Sequence, residues 1–219
     1  MVDRPIIFRA PMVKALLDGR KSQTRRLAWR FVGAGYSRDE DLTRKPSPWQ
    51  RVQPGDRLWV REAWQYARKQ YCTCPQPSEP SPCDDWHEGI GCRSDREGIV
   101  LRADGDQAPI WRPSIHMPRW ASRLTLIVTA TKIERLQDIG EADARAEGMV
   151  EIERPRFRMN GFGPPGTLQE DAYVAAREAF SALWDEIYGE DAWANNPEVI
   201  ALAFRVIHAN IDSAEARAA

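Results

Sequence analysis

The sequence predicts a small α+β domain built on a curled sheet or barrel. Three stretches carry that prediction. RLTLIVTATKIERL (123–136) is dense in β-branched residues and favours a long strand. EDAYVAAREAFSALWDEIYG (170–189) repeats Tyr173, Ala176, Phe180, Leu183, Trp184 and Ile187 at helical spacing. EVIALAFRVI (198–207) reads as a closing strand. Strands and helices mix, and the strands are not neighbours in sequence, which favours α+β.

The other elements follow in order. IIFRA (6–10) predicts a short strand. PMVKALLDG (11–19) predicts a helix, with Pro11 in its first turn and Gly19 at its left-handed stop. GRKSQTRR (19–26) is then the loop leaving that helix. Residues 31–52 are polar and marked by Pro and Gly, so they read as loop. PGDRLWVREAW (54–64) is a turn and strand whose Leu58, Val60, Glu62 and Trp64 share one face. GIVLRAD (98–104) resumes strand character, and 111–122 is irregular and aromatic. Asp138 and Glu141 suggest a capping box for a short helix that Gly148 ends. The expected organisation is one domain over 1–207, an insertion at about 67–98 and a flexible tail at 208–219.

Composition narrows the classes. The 219 residues are 42% hydrophobic, enough for a real core. No apolar run approaches the roughly 20 residues of a membrane helix, and MVDRPIIFRAP is too short and charged for a signal peptide. The expectation is a soluble cytoplasmic protein with no membrane partner. Net charge is −1, yet residues 1–70 hold 16 basic and 7 acidic side chains, so that third carries +9 and the rest −10. A basic N-terminal third suits phosphates, or pairs with the acidic remainder.

Of the 31 basic residues, 26 are arginine and 5 lysine, which makes Lys21 conspicuous among Arg20, Arg25 and Arg26. Lysine gives up its proton where arginine does not. Like charges lower its pKa, and a neutral amine can take the proton of the Thr24 hydroxyl. Glu147 sits in the last turn of its predicted helix, where the dipole disfavours an acid by about 0.3–1 kcal/mol. Such an acid either has a cation beside it or a raised pKa, or is simply tolerated at an ordinary helix end. Glu62 lies in line with apolar residues and is either an inward, paired carboxylate or a strand end in water. Cys72, Cys74, Cys83 and Cys92, with His87 between them, lie in the Pro-rich insertion. Four thiols there favour a structural zinc over disulfides, with free thiols as the alternative. Trp29, Trp49, Trp111 and Trp120 fall in predicted loops and are candidates for stacking on bases; Trp59, Trp64 and Trp184 fall on core faces.

Gly19-x-Lys21-x-x-Thr24-x-Arg26 resembles the G-x-K-x-x-T-x-R signature of ASCH domains, a branch of the PUA-like fold. PGDRLWVRE resembles that family's turn and strand, and the order of parts is similar over most of the chain outside 67–98 and the tail. LWVRE and WRPSIHMPRWASR are similar to stretches of ASCH proteins encoded by phages and prophages. The resemblance implies a small β-barrel with flanking helices that holds nucleotides or RNA. Its bacterial N(4)-acetylcytidine amidohydrolase branch implies catalytic roles for Lys21, Thr24 and Glu147. Arg26 and Glu62 are expected to bind the substrate, and no catalytic cofactor is expected. The expected activity is hydrolysis of the amide on the exocyclic amine of acylated cytidine or cytosine, with Thr24 or a water as nucleophile. An RNA-binding module or a ribonuclease is the alternative. At about twice that branch's length, and with a cysteine-bearing insertion, the chain departs from it.

Overall fold

The structure, a computed structural model, describes residues 1–32, 43–66, 99–105, 110–153, 161–169 and 171–218. Among these, the elements begin with β1 (Asp3–Ile7), α1 (Ala10–Leu17), β2 (Gln23–Leu27), β3 (Trp29–Val32) and β4 (Thr43–Pro46). Next come β5 (Arg57–Arg61), β6 (Trp64–Tyr66), β7 (Ile99–Leu101) and β8 (Thr125–Arg135). The remainder is α2 (Glu141–Ala146), β9 (Val150–Ile152), β10 (Gly161–Gly163), α3 (Ala176–Tyr188), β11 (Glu198–Ile207) and α4 (Ala214–Ala218). The chain is mixed α+β and rich in sheet, and no closed barrel is found among the described residues. No helix among them is long and apolar enough to cross a membrane.

The chain divides into two compact units. The first comprises Met1–Asp3, Ala15–Arg57 and Leu126–Val206. In it β8, β11 and β2 are consecutive in the sheet. β11 pairs antiparallel with β2, so Leu202 faces Thr24 and Ile200 faces Arg26 in register. Ile200, Leu202 and Phe204 are all buried, the two-residue period expected of a strand with one face in the core. On α3, Ala176, Ala179, Phe180 and Trp184 are buried at helical spacing, and the helix packs on α2 and β10.

Three expectations fail here. GRKSQTRR is a loop only to Ser22; from Gln23 it is strand β2, because β11 supplies a ladder for backbone that local propensity would leave free. Residues 31–52 contain β3, β4 and a 3-10 turn at Pro48–Arg51 as well as loop, with β3 and β4 antiparallel from Trp29 opposite Pro46. The capping box is also different. Glu141 accepts the backbone N–H groups of Ala176 (3.0 Å) and Arg177 (3.1 Å), so it caps the start of α3 instead of its own helix.

The second unit comprises Arg4–Lys14, Leu58–Thr125 and Ile207–Ala219. β6 and β7 form an antiparallel pair, with Trp64 opposite Leu101. Trp64, Leu101, Met117 and Ala121 build a small core flanked by Tyr66 and Ile99. The expected loose tail is packed in this unit. Ile211 is fully buried, and the Asn210 amide donates to the carbonyls of Arg119 (2.8 Å) and Ser122 (2.7 Å). Those bonds and α4 hold a segment whose place at the end of the chain predicts flexibility.

A buried lysine–carboxylate site and an arginine-lined cleft

The loop after α1 sets Lys21. Gly19 turns the chain at φ +69°, and the backbone N–H of Lys21 then donates to the Ala15 carbonyl (3.1 Å). A second turn arrives from α2, whose C-terminal cap is Glu147. Gly148 follows at φ +103°, and a Cβ there would stand 3.1 Å from the Ala15 Cβ and 3.5 Å from the Lys21 Cβ. Both the backbone conformation and the close approach demand glycine. The Ser22 N–H donates to the Ala146 carbonyl (2.9 Å), tying the two turns together.

These turns bring Lys21 and Glu147 into contact inside the first unit. Lys21 Nζ donates to Glu147 Oε2 (2.8 Å) and to the Glu147 carbonyl (2.6 Å). Lys21 is 2% exposed, Glu147 3% and Thr24 1%. Burial lowers the Lys21 pKa from its ordinary 10.5; the Glu147 carboxylate opposes that, while Arg26 and Arg25 add to the lowering. Thr24 lies on β2, and its Oγ1 accepts a hydrogen bond from Arg26 Nη1 (2.9 Å).

Sequence reasoning missed Arg25 and Glu134. Arg25 is buried and donates to Glu134 Oε1 through Nε (2.9 Å), to Glu147 Oε1 through Nη1 (3.3 Å) and to Asp143 Oδ2 (3.2 Å). Lys132, on the surface, reaches Glu134 Oε2 at 2.8 Å. Cations and carboxylates thus alternate from Lys132 through Glu134, Arg25 and Glu147 to Lys21. Both oxygens of Glu147 are held by cations, which offsets its unfavourable place at a helix C-terminus. Position along β8 hid Glu134: the neighbouring Ile133 is 56% exposed while Glu134 is 8% exposed, the reverse of what polarity suggests.

A cleft of about 890 Å³ lies within the same unit; Arg26 lines it, whereas Lys21, Thr24, Arg25 and Glu147 do not. Trp29 and Trp49 also line it, as do Arg30, Arg44 and Arg135. Arg44 stacks over Trp29 (4.0 Å) and pairs with Glu198; the Trp29 N–H donates to Glu198 at 2.9 Å. These two donors lower the Glu198 pKa. The guanidinium of Arg26 lies 5.9 Å from the Trp49 ring centre. Of the other expected stacking residues, Trp111 is partly buried and Trp120 is 43% exposed, and neither lines the cleft.

Glu62 belongs to the second unit and is 1% exposed, so its side chain points inward. Its two oxygens accept from Arg123 Nε (3.0 Å) and Nη2 (3.1 Å), and Arg123 also pairs with Asp104 (2.8 Å). Burial raises the Glu62 pKa above 4.5, against the opposing pull of Arg123. Cys72, Cys74, Cys83 and Cys92, with His87, lie outside the described residues; among the described residues no cluster of three or more potential metal ligands is found. No family model, curated protein or solved structure matches the chain.

Proposed function

We propose that the chain is an ASCH-type amidohydrolase of the PUA-like group that removes an acyl group from the exocyclic amine of N(4)-acylated cytidine or cytosine. One observation carries the reading: Lys21 is a fully enclosed amine whose proton affinity burial reduces, held against the Glu147 carboxylate in the unit that also contains Thr24. An uncharged amine keeps a lone pair while it donates to Glu147. Its lone pair is then the base.

In the proposed reaction the Lys21 amine takes the proton of the Thr24 hydroxyl as Oγ1 forms a bond to the acyl carbon. Arg26, already 2.9 Å from Oγ1, stabilises the negative charge that develops there and on the carbonyl oxygen. The bond from the acyl carbon to the exocyclic nitrogen breaks, and Lys21 returns its proton to that nitrogen. Water then cleaves the Thr24 ester: it passes a proton to Lys21 as it attacks the acyl carbon, and Lys21 returns that proton to Thr24 Oγ1 as the carboxylic acid leaves. Glu147 orients the amine throughout and supports its cationic form.

The test is incubation of the pure protein with N(4)-acetylcytidine, following free cytidine. Turnover is expected, with kcat/KM rising with pH as Lys21 deprotonates at a value below 10.5. Lys21→Arg keeps the charge and removes the base, so activity should fall by about 10²–10⁴-fold. Thr24→Ser retains a hydroxyl and should retain activity, whereas Thr24→Val should not. Absence of turnover by the folded protein, or full activity in Lys21→Arg, overturns the reading.

A further inference from the structure

The cleft carries chemistry that a neutral nucleoside would leave unused. Among the described residues four arginines line it, Arg26, Arg30, Arg44 and Arg135, against the single carboxylate of Glu198. Arg44 and the Trp29 N–H already satisfy that carboxylate. The lining therefore keeps an excess of positive charge. Arg30 has no partner among the described residues, and Arg135 gives one N–H to the Asn196 carbonyl (3.3 Å).

Two further groups point to a ligand independently of charge. Ser47 Oγ and Trp184 Nε1 are buried, have no hydrogen-bond partner among the described residues, and belong to residues that line the cleft. Ser47 is 5% exposed and Trp184 3%. A buried donor without an acceptor is rare in a folded protein, and a ligand bearing acceptors supplies the missing partner. Trp29, Trp49 and Tyr188 add flat apolar faces. Flat faces, unpaired donors and excess guanidinium together match a base joined to a phosphate. The cleft volume, about 890 Å³, lies within the roughly 300–1,000 Å³ of small-ligand sites.

We propose that this cleft takes a phosphorylated cytosine unit, its base against the tryptophans and its phosphate on Arg30 and Arg135, so that the substrate is a nucleotide and not a neutral nucleoside. The choice of cytosine rests on the amidohydrolase reading; the demand for a phosphate rests on the cleft alone. Arg26 connects the two, because it lines the cleft and also reaches Thr24 Oγ1 at 2.9 Å. A base seated at the Arg26 end is one guanidinium away from the proposed nucleophile. The same chemistry is offered by a free nucleotide and by single-stranded RNA.

Binding of unacylated compounds tests this without turnover. Titrating the protein with cytidine, cytidine 5′-monophosphate and a short cytidine-rich single-stranded RNA, read by tryptophan fluorescence and calorimetry, should show the monophosphate at least tenfold tighter than cytidine. The gap should shrink as salt rises. Arg30→Gln combined with Arg135→Gln should close most of it, and Arg30→Lys with Arg135→Lys should restore it in part, which separates charge from folding. RNA binding much more tightly than the monophosphate, with a steeper salt dependence, identifies a polynucleotide; equal affinity identifies a free nucleotide. Cytidine binding as tightly as its monophosphate, or a gap that survives the double glutamine variant, overturns the proposal. If the gap is present but no acylated cytidine is hydrolysed, the amidohydrolase reading fails and the phosphate site stands. If hydrolysis occurs without a gap, the reverse holds.

Discussion

Glu147 of the first unit and Glu62 of the second are both buried, and they are partnered differently. Glu147 is held by Lys21 and Arg25, both 2% or less exposed at the side chain. Glu62 is held by Arg123, whose side chain is 21% exposed and which shares its charge with the half-open Asp104. Arginine stays charged at every working pH, so the Glu62 pair has one ionic form of its cation. Lysine in the other pair has two accessible forms, because burial has already weakened its hold on the proton. Burial of an acid alone therefore says little about chemistry. The titrating partner separates a site that can transfer protons from one that fastens a strand to a turn.

Removing the carboxylate from the first pair should have the largest effect. Glu147→Ala leaves Lys21 and Arg25 enclosed without their shared counter-charge, a change that typically costs about 3–5 kcal/mol. Urea denaturation should read that loss, together with loss of the proposed deacylation. An unchanged midpoint would mean the cluster is not closed to water as its exposure indicates.

Cutting the second pair should have a smaller effect, and one that acid relieves. Arg123→Ala leaves Glu62 buried without its cation, at about 1–3 kcal/mol near neutral pH. The folded pKa of Glu62 is raised above 4.5 by burial. Its contribution is thus fully present below 4.5 and is lost as pH rises through the raised value. The variant should recover relative stability as pH falls toward 4.5, seen as converging melting curves. A deficit that stays constant with pH would assign the loss to packing of the arginine stem.

The outer end of the first chain of charges gives the smallest expected change. Lys132 is 71% exposed at its side chain, and solvent screens its pair with Glu134. Lys132→Ala should leave the melting temperature within measurement error. A clear drop would show that the buried cluster depends on its surface cation, and would bring the two units closer in character.

Much of the frame was legible in order along the chain. β8, α3 and β11 follow from β-branched density and helical spacing, and the face shared by Leu58, Val60, Glu62 and Trp64 is buried throughout. Lys21 stood out because lysine is rare here, and Glu147 because an acid is misplaced at a helix end. Arg25 did not stand out among neighbouring arginines, and burial of Glu134 beside an exposed Ile133 contradicts local polarity. The strand character of Gln23–Leu27 was hidden for a similar reason: its ladder belongs to β11, some 175 residues away in sequence.

From sequence alone came the types of α1, β8, α3 and β11, the turn glycines at 19 and 148 and the identity of the lysine and acid worth testing. Those properties are set by spacing, side-chain branching and backbone freedom, which act over a few residues. The partner of each charge, the 126-residue span that Lys21 bridges to Glu147, and the gathering of four arginines around tryptophans were decided by tertiary structure. Pairing energies and desolvation depend on which distant surfaces meet, and only the folded chain brings those surfaces together.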